Sequence, residues 1–363
     1  MNEQQMKVAR EALIDWLKDP RELGKVPSKI ECAGTFELHD MIYYIFKYKK
    51  GLLGKWLIGV SGGFEGDSLE LCGHMFSEMQ EYREAMAQED AIKLVETVRS
   101  YWIKRAEDAE KNKENPGSFI NFVLLKEAKW DKNLLIKALA EDWKISDEDD
   151  SAEMAEDEYP DIFVMKYQGY MITVSLIDTP VPGGEAEAYA QRNIRWKDAV
   201  EVTKSHKAHL MVAVLGGGKD PKVAGELLVK TVASCCKSAD VLGIYGSEIV
   251  FQPEFYLEFV EMMKQGMFPL FNLVWFGLYK TDKGFSGYTS GLAAFGKDEI
   301  EVIDSQANPN DLAEFLSDIA NYVLEYDVTL RDGETIGFSA EQKLPISRSQ
   351  GVMVQGMSLK IGF

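Results

Sequence analysis

Cys32, His39, Cys72 and His74 are residue types that bind transition metals, and Cys72 and His74 form a Cys-x-His pair. Zinc accepts thiolate and imidazole in a tetrahedral shell. The pattern lacks the paired Cys-x-x-Cys knuckles of structural zinc sites, and Cys32 and His39 have opposite parity on a regular strand, which puts them on opposite faces. Small buried thiols and hydrogen-bonded histidines are the competing reading, and no metal or other cofactor is expected. Nearby, Glu65, Asp67, Glu70 and His74 follow a Gly-rich turn and form an acid–base set if desolvation moves them toward neutrality. Asp67 or Ser68 serves equally as the N-cap of a helix beginning near Leu69, which local geometry alone explains.

Gly216-Gly217-Gly218-Lys219 connects an apolar strand to a helix, where free amides and a lysine can hold a phosphate. A P-loop needs a longer spacing and Ser or Thr after the lysine. Asp220 follows here, repels an anion, and has an ordinary task as N-cap. His206 and His209 precede a central strand, and no Gly-x-Ser-x-Gly elbow accompanies them. An aromatic belt, Trp275, Phe276, Tyr279, Phe285, Tyr288 and Phe295, is interleaved with glycines. Even spacing puts Trp275 and Tyr279 on one face of a strand. The belt either lines a pocket, with Asp304, Glu334 and Glu341 as convergent polar groups, or packs a core.

The elements that must position these residues follow from periodicity and breakers. A helix with Val8, Leu13, Trp16 and Leu17 at helical spacing ends at Pro20. Three strands are expected at Lys29–Leu38, Met41–Lys47 and Lys55–Val60, then a long helix from Met75 to Lys111. This makes a small α+β domain over residues 1–111, closed by a polar linker at 112–117. Residues 118–363 form the larger region. Its first part reads as strand Ser118–Leu125, a helix capped by Asp131, a hairpin around Gln168-Gly169, helix Trp196–Ser205 and strand His209–Leu215. That β-α-β-β-α-β order is the pattern of a ferredoxin-like split βαβ unit. Helix Asp220–Ser238 follows, with Pro221 at its first position. Further elements are strand Val241–Tyr245, helix Pro253–Gln265, strands Leu270–Lys280, Phe285–Ser290 and Glu299–Ile303, and helix Asn310–Tyr326. The echo of the first half suggests two related α/β sandwiches, at 118–240 and 241–363.

The chain has 363 residues, is 46% hydrophobic and carries a formal net charge of −19. It therefore has the apolar content to fold, and its sign argues against a nucleic-acid binder. Ser146 to Glu158 holds eight acids and no base, within an acidic loop expected at 146–161. A basic protein partner is the natural complement; a solvated linker is the alternative. Four scattered cysteines fit reduced thiols in a cytoplasm, and neither a signal peptide nor a membrane span is expected.

The segments KAHLMVAVLGGG (Lys207–Gly218), PEFYLE (Pro253–Glu258), GYTSGLAAFGKDEIEVIDS (Gly287–Ser305) and DGETIGFSAEQKLPI (Asp332–Ile346) resemble the bacterial family catalogued as domain of unknown function 4261, over about residues 118–363. The first domain is similar to an N-terminal extension of some bacterial relatives. The resemblance implies no activity and no functional residues. From its charge, its lack of catalytic motifs and its two expected domains, the chain is read as a non-catalytic accessory or protein-binding factor of the stress or toxin-neutralising type. An enzyme or small-molecule binder using a cleft between the two halves is the alternative, and the oligomeric state is left open.

Overall fold

The computed structural model describes residues 2–18, 22–51, 54–69, 80–114, 116–148, 161–216, 218–339 and 342–363. The chain is α+β and divides into two compact units, Met1–Arg105 and Ala106–Phe363.

In the first unit, α1 (Glu3–Leu17) is capped by Asn2, whose side chain accepts from Gln4 and Gln5 N–H. A meander follows, β1 (Lys29–Leu38), β2 (Met41–Lys49) and β3 (Leu57–Phe64), paired antiparallel in the order β1-β2-β3. The sheet is covered on both faces, which explains the nearly continuous apolar run of β2. Leu13 and Leu17 of α1 pack against Tyr44, Phe46 and Phe64. On the other face Ala91, Leu94 and Val95 of α2 (Ala87–Glu114) meet Tyr43, Ile45 and Val60. The expected start of this helix at Met75 is corrected to Ala87. Gln80–Tyr82 instead bond to the sheet, Ile58 N–H donating to Gln80 O at 3.0 Å and Tyr82 N–H to Trp56 O at 2.8 Å. The helix also runs through the first half of the segment expected to be a linker, ending at Glu114.

The second unit contains two six-stranded sheets. Its elements are β4 (Ser118–Trp130), α3 (Lys132–Trp143), β5 (Ile162–Tyr167), β6 (Tyr170–Ile177), α4 (Glu185–Ala190), α5 (Ala199–Lys204), β7 (Ala208–Leu215), α6 (Pro221–Ser238), β8 (Ala239–Gly246) and β9 (Ile249–Phe251). They continue with α7 (Pro253–Lys264), α8 (Leu270–Leu273), β10 (Trp275–Lys280), β11 (Phe285–Ser290), β12 (Glu299–Ser305), α9 (Pro309–Glu325), β13 (Thr335–Ile336), β14 (Leu344–Gln350) and β15 (Met357–Ile361). Local signals place several of these at the expected residues: Asp131 caps α3, Asp220 caps α6 with Pro221 at N1, and Gln168-Gly169 turns the β5–β6 hairpin at positive φ.

Strand order departs from the ferredoxin expectation. The first sheet runs β5-β6-β7-β4-β8-β9 and is antiparallel throughout. A ferredoxin-like unit is also antiparallel but sets its first strand between its third and fourth; here the fourth, β7, lies between β4 and β6. Strands β8 and β9, beyond the expected division at residue 240, belong to this sheet. The second sheet runs β10-β11-β12-β15-β14-β13, with β12 and β15 parallel. Both sheets contain a three-strand meander followed by a helix (β5-β6-β7-α6 and β10-β11-β12-α9), but the next strand over runs antiparallel in one and parallel in the other. A single hydrophobic core spans both sheets, joining Val123, Val212 and Leu228 to Val302, Leu316 and Leu359.

Candidate functional site

The groove between α7, α8 and α9 is built from aromatic side chains. Gln252 precedes α7 and Pro253 takes N1, where its missing N–H costs nothing. Tyr256, Val260 and Met263 of α7 are buried in the core, leaving Phe255 and Phe259 partly outside it. Phe255, Phe259, Phe271 and Phe276 then form a chain of ring contacts with centroids 4.9, 4.9 and 5.5 Å apart. They surround a cavity of about 370 Å³, which Trp275, Ala313 and Ser317 complete and which Arg192, Arg195 and Glu314 flank. A larger depression of about 690 Å³ shares Phe259, Phe271 and Ser317 with it. Its apolar lining includes Met262, Met267 and Phe268, and its charged residues are Asp220, Glu226, Asp318 and Glu325 against Lys222. Met262, Met267 and Phe271 are exposed.

One arginine at the cavity is fixed from behind. Arg192 lies over the Tyr189 ring at 4.5 Å, and its Nη1 donates to Glu248 Oε2 at 3.1 Å. The Tyr189 hydroxyl donates to Glu248 Oε1 at 3.2 Å. Glu248 and Ser247 form the two-residue turn between β8 and β9, both at positive φ (58° and 50°) in a conformation that favours Asn and Gly. Ser247 Oγ donates to Leu273 O at 2.8 Å, binding this turn to α8. Arg195 is exposed. Burial pushes the neighbouring Tyr288 phenol up, with the Arg192 guanidinium opposing.

Two carboxylates of β12 are wholly enclosed. Glu299 accepts from Thr289 Oγ1 at 2.6 Å, Gly291 N–H at 2.8 Å and Ala293 N–H at 3.1 Å. Burial still raises its pKa. Glu301 accepts from Met353 N–H, Ser358 Oγ and Lys360 Nζ at 2.7, 2.7 and 2.8 Å. Burial pushes Glu301 up, but Lys360 and the surrounding donors together hold it below the usual glutamate value. Sequence reasoning missed both: alternation with Ile300 and Val302 gave them the signature of solvent-facing acids on a half-buried strand.

The residues singled out from sequence are dispersed. Trp275 lines the cavity, and Tyr279 and Tyr288 pack together at 6.5 Å on the Trp275 face of the sheet. Asp304 accepts from Thr281 Oγ1 at 2.7 Å and ties the β10–β11 hairpin, while Glu334 accepts from Arg331 N–H at 2.8 Å within a turn. These acids do not join the aromatic groove. Lys219 Nζ donates to Gln168 O at 3.0 Å, Gly216 N–H donates to Gly117 O, and the Asp220 side chain accepts from Lys222 N–H. His206 Nε2 accepts from Val181 N–H at 2.8 Å, while its Nδ1 meets Thr203 O. His209 Nδ1 meets Thr179 O at 2.8 Å, and burial pushes this imidazole down. His39 Nε2 lies 2.8 Å from Glu96 Oε1, and Cys32 is half-buried with Sγ near Gly34 O. Glu65 and Asp67 are exposed around a turn whose Gly66 and Ser68 carbonyls accept from Gln5 Nε2. Glu70, Cys72, His74, Gly217, Glu341 and most of the acidic loop lie outside the described residues. Among the described residues, no group of three or more His, Cys, Asp or Glu side chains is arranged to hold a metal, and no helix is long and apolar enough to cross a membrane.

The α9 wall of the groove and both enclosed glutamates fall in one C-terminal stretch. Residues 288–362 match the family described as domain of unknown function (DUF4261). The resemblance expected over residues 118–363 is thus met by a match over this shorter segment. It holds α9 and β12, whereas α7, α8 and the arginines precede it. No curated protein and no solved structure matches the chain.

Proposed function

We propose that the protein is a non-catalytic binding factor whose groove between α7, α8 and α9 receives the apolar face of a basic segment of a protein partner. The observation that carries this reading is the pairing of an exposed methionine and phenylalanine lining with a predominantly acidic set of flanking side chains. Methionine adapts to varied apolar shapes, and acidic rims attract basic partners and set their register. The non-catalytic part is supported by the engagement of Glu299, Glu301, His206 and His209 with fixed structural partners. The test is fluorescence anisotropy with a short synthetic amphipathic helix of leucine and lysine, and a leucine–glutamate counterpart as control. The lysine peptide binds, the glutamate peptide does not, and Asp318→Lys with Glu325→Lys weakens binding by about tenfold or more. Equal binding of both peptides, or indifference to the double charge reversal in a folded variant, defeats the reading.

A second reading, a small apolar anion in the cavity beside Arg192 and Arg195, is favoured by the fixed Arg192 guanidinium and the surrounding rings. Dodecanoate displacing a bound naphthalene sulfonate dye, with the displacement lost in Arg195→Glu, is its expected signature.

A further inference from the structure

The face of the first sheet opposite α3 and α6 is only partly covered. Helices α4 and α5 shield its β4–β8–β9 end, where Leu124, Tyr189, Tyr245 and Val250 form a separate cluster. Over β5, β6 and β7 the outward face is open at Ile162, Val164, Met171 and Leu215, half-buried at Thr173, Ser175 and Met211, and buried at Ala213. One row is fixed by register: Ile120 faces Ala213, Ala213 faces Thr173, and Thr173 faces Val164. The adjoining rows bring Leu215 beside Met171 and carry Ile162 at the end of β5. Ile120, Ile162, Val164, Met171 and Leu215 are 52%, 43%, 48%, 38% and 37% exposed. An antiparallel sheet with one wet face ordinarily places polar side chains there. Across these three rows the single charged residue is Lys166.

We infer that this face is the interface of a two-fold dimer, in which the sheets of two copies pack face to face. A chain of net charge −19 repels its own copy wherever acids meet acids, and these rows contain no acid. A two-fold axis sets the same surface against itself, so a flat, nearly uncharged face complements itself without needing opposite charges. Sheet faces of this kind stack with strands about 30° apart, their side chains interdigitating. Four strands by three rows cover roughly 400 Å² in projection. That suits the apolar core of an interface of about 800 Å² per partner, with a polar rim around it.

Sedimentation equilibrium of the full chain across the micromolar range tests the proposal, with Ile120→Lys and Val164→Lys as variants. Both positions point outward, and circular dichroism checks that the fold is retained. The expected result is a reversible dimer whose dissociation constant rises by about 100-fold or more in each variant, because each buries an unpaired charge. A wild-type chain that stays monomeric, whether because another segment of the chain covers the face or because nothing does, overturns the proposal. So does a dimer that tolerates both lysines, since it must use another surface.

Discussion

Glu299 and Glu301 stand two residues apart on β12, and their surroundings move their ionisation in opposite directions. For Glu299, burial holds the carboxyl above the ordinary value of 4.5 against three donors. The folded chain retains a proton there that the unfolded chain has released, so stability falls as pH rises through the window above 4.5. Glu301 is held lower, so its stabilisation is present above 4.5 and is lost as pH falls below it. Urea midpoints measured against pH are expected to flatten above 4.5 in Glu299→Gln and below 4.5 in Glu301→Gln. At neutral pH, Glu301→Gln costs about 3 kcal/mol, because Lys360 loses its enclosed partner. Parallel pH profiles for wild type and both variants would show that neither carboxylate carries this linkage.

At the scale of elements, the β10–β11 pair depends on Tyr288 lying across Gly277. A Cβ at Gly277 would sit 2.2 Å from the Tyr288 ring, whereas one at Gly51 meets nothing within 4 Å. Gly277→Ala is expected to cost about 3 kcal/mol in chemical denaturation, and Gly51→Ala less than about 0.5 kcal/mol. Equal midpoints would refute this packing. Elements whose ends are set by neighbouring residues were legible in the sequence: β1, α3, the β5–β6 hairpin, α6 and β11 follow their caps and turns. The run Leu270–Lys280 was not, since its first four residues form α8, where Asn272 Nδ2 donates to Tyr256 O across sixteen residues. Strand order was equally hidden, because it depends on which distant edges share the core. For the site, among the described residues of the aromatic belt and its candidate acids, Trp275 and Phe276 reached the cavity. The rest of its wall comes from segments as far apart as Arg192 and Ser317, and no local pattern links them.

At the scale of the whole molecule, the two proposed association surfaces are expected to answer to salt with opposite signs. Acids around the groove attract a basic peptide through water, and this attraction shortens as the screening length falls from about 30 Å at 0.01 M to about 8 Å at 0.15 M. Two copies of a chain at −19 repel each other over the same distance, and salt relieves that repulsion. Raising ionic strength is therefore expected to weaken the lysine peptide and tighten the dimer, measured by anisotropy and sedimentation on one preparation. Two curves of the same sign would contradict this division between a charged groove and a nearly neutral sheet face.

The turn at Ser247-Glu248 has a consequence for engineering. A stabilisation campaign would replace these residues with Asn-Gly, which reach positive φ with less strain. The swap removes the carboxylate that holds Arg192 against Tyr189, and the hydroxyl that binds the hairpin to α8. A hardier chain obtained this way would keep its cavity and lose the anchoring of its guanidinium, so selection for heat resistance alone would drift away from recognition.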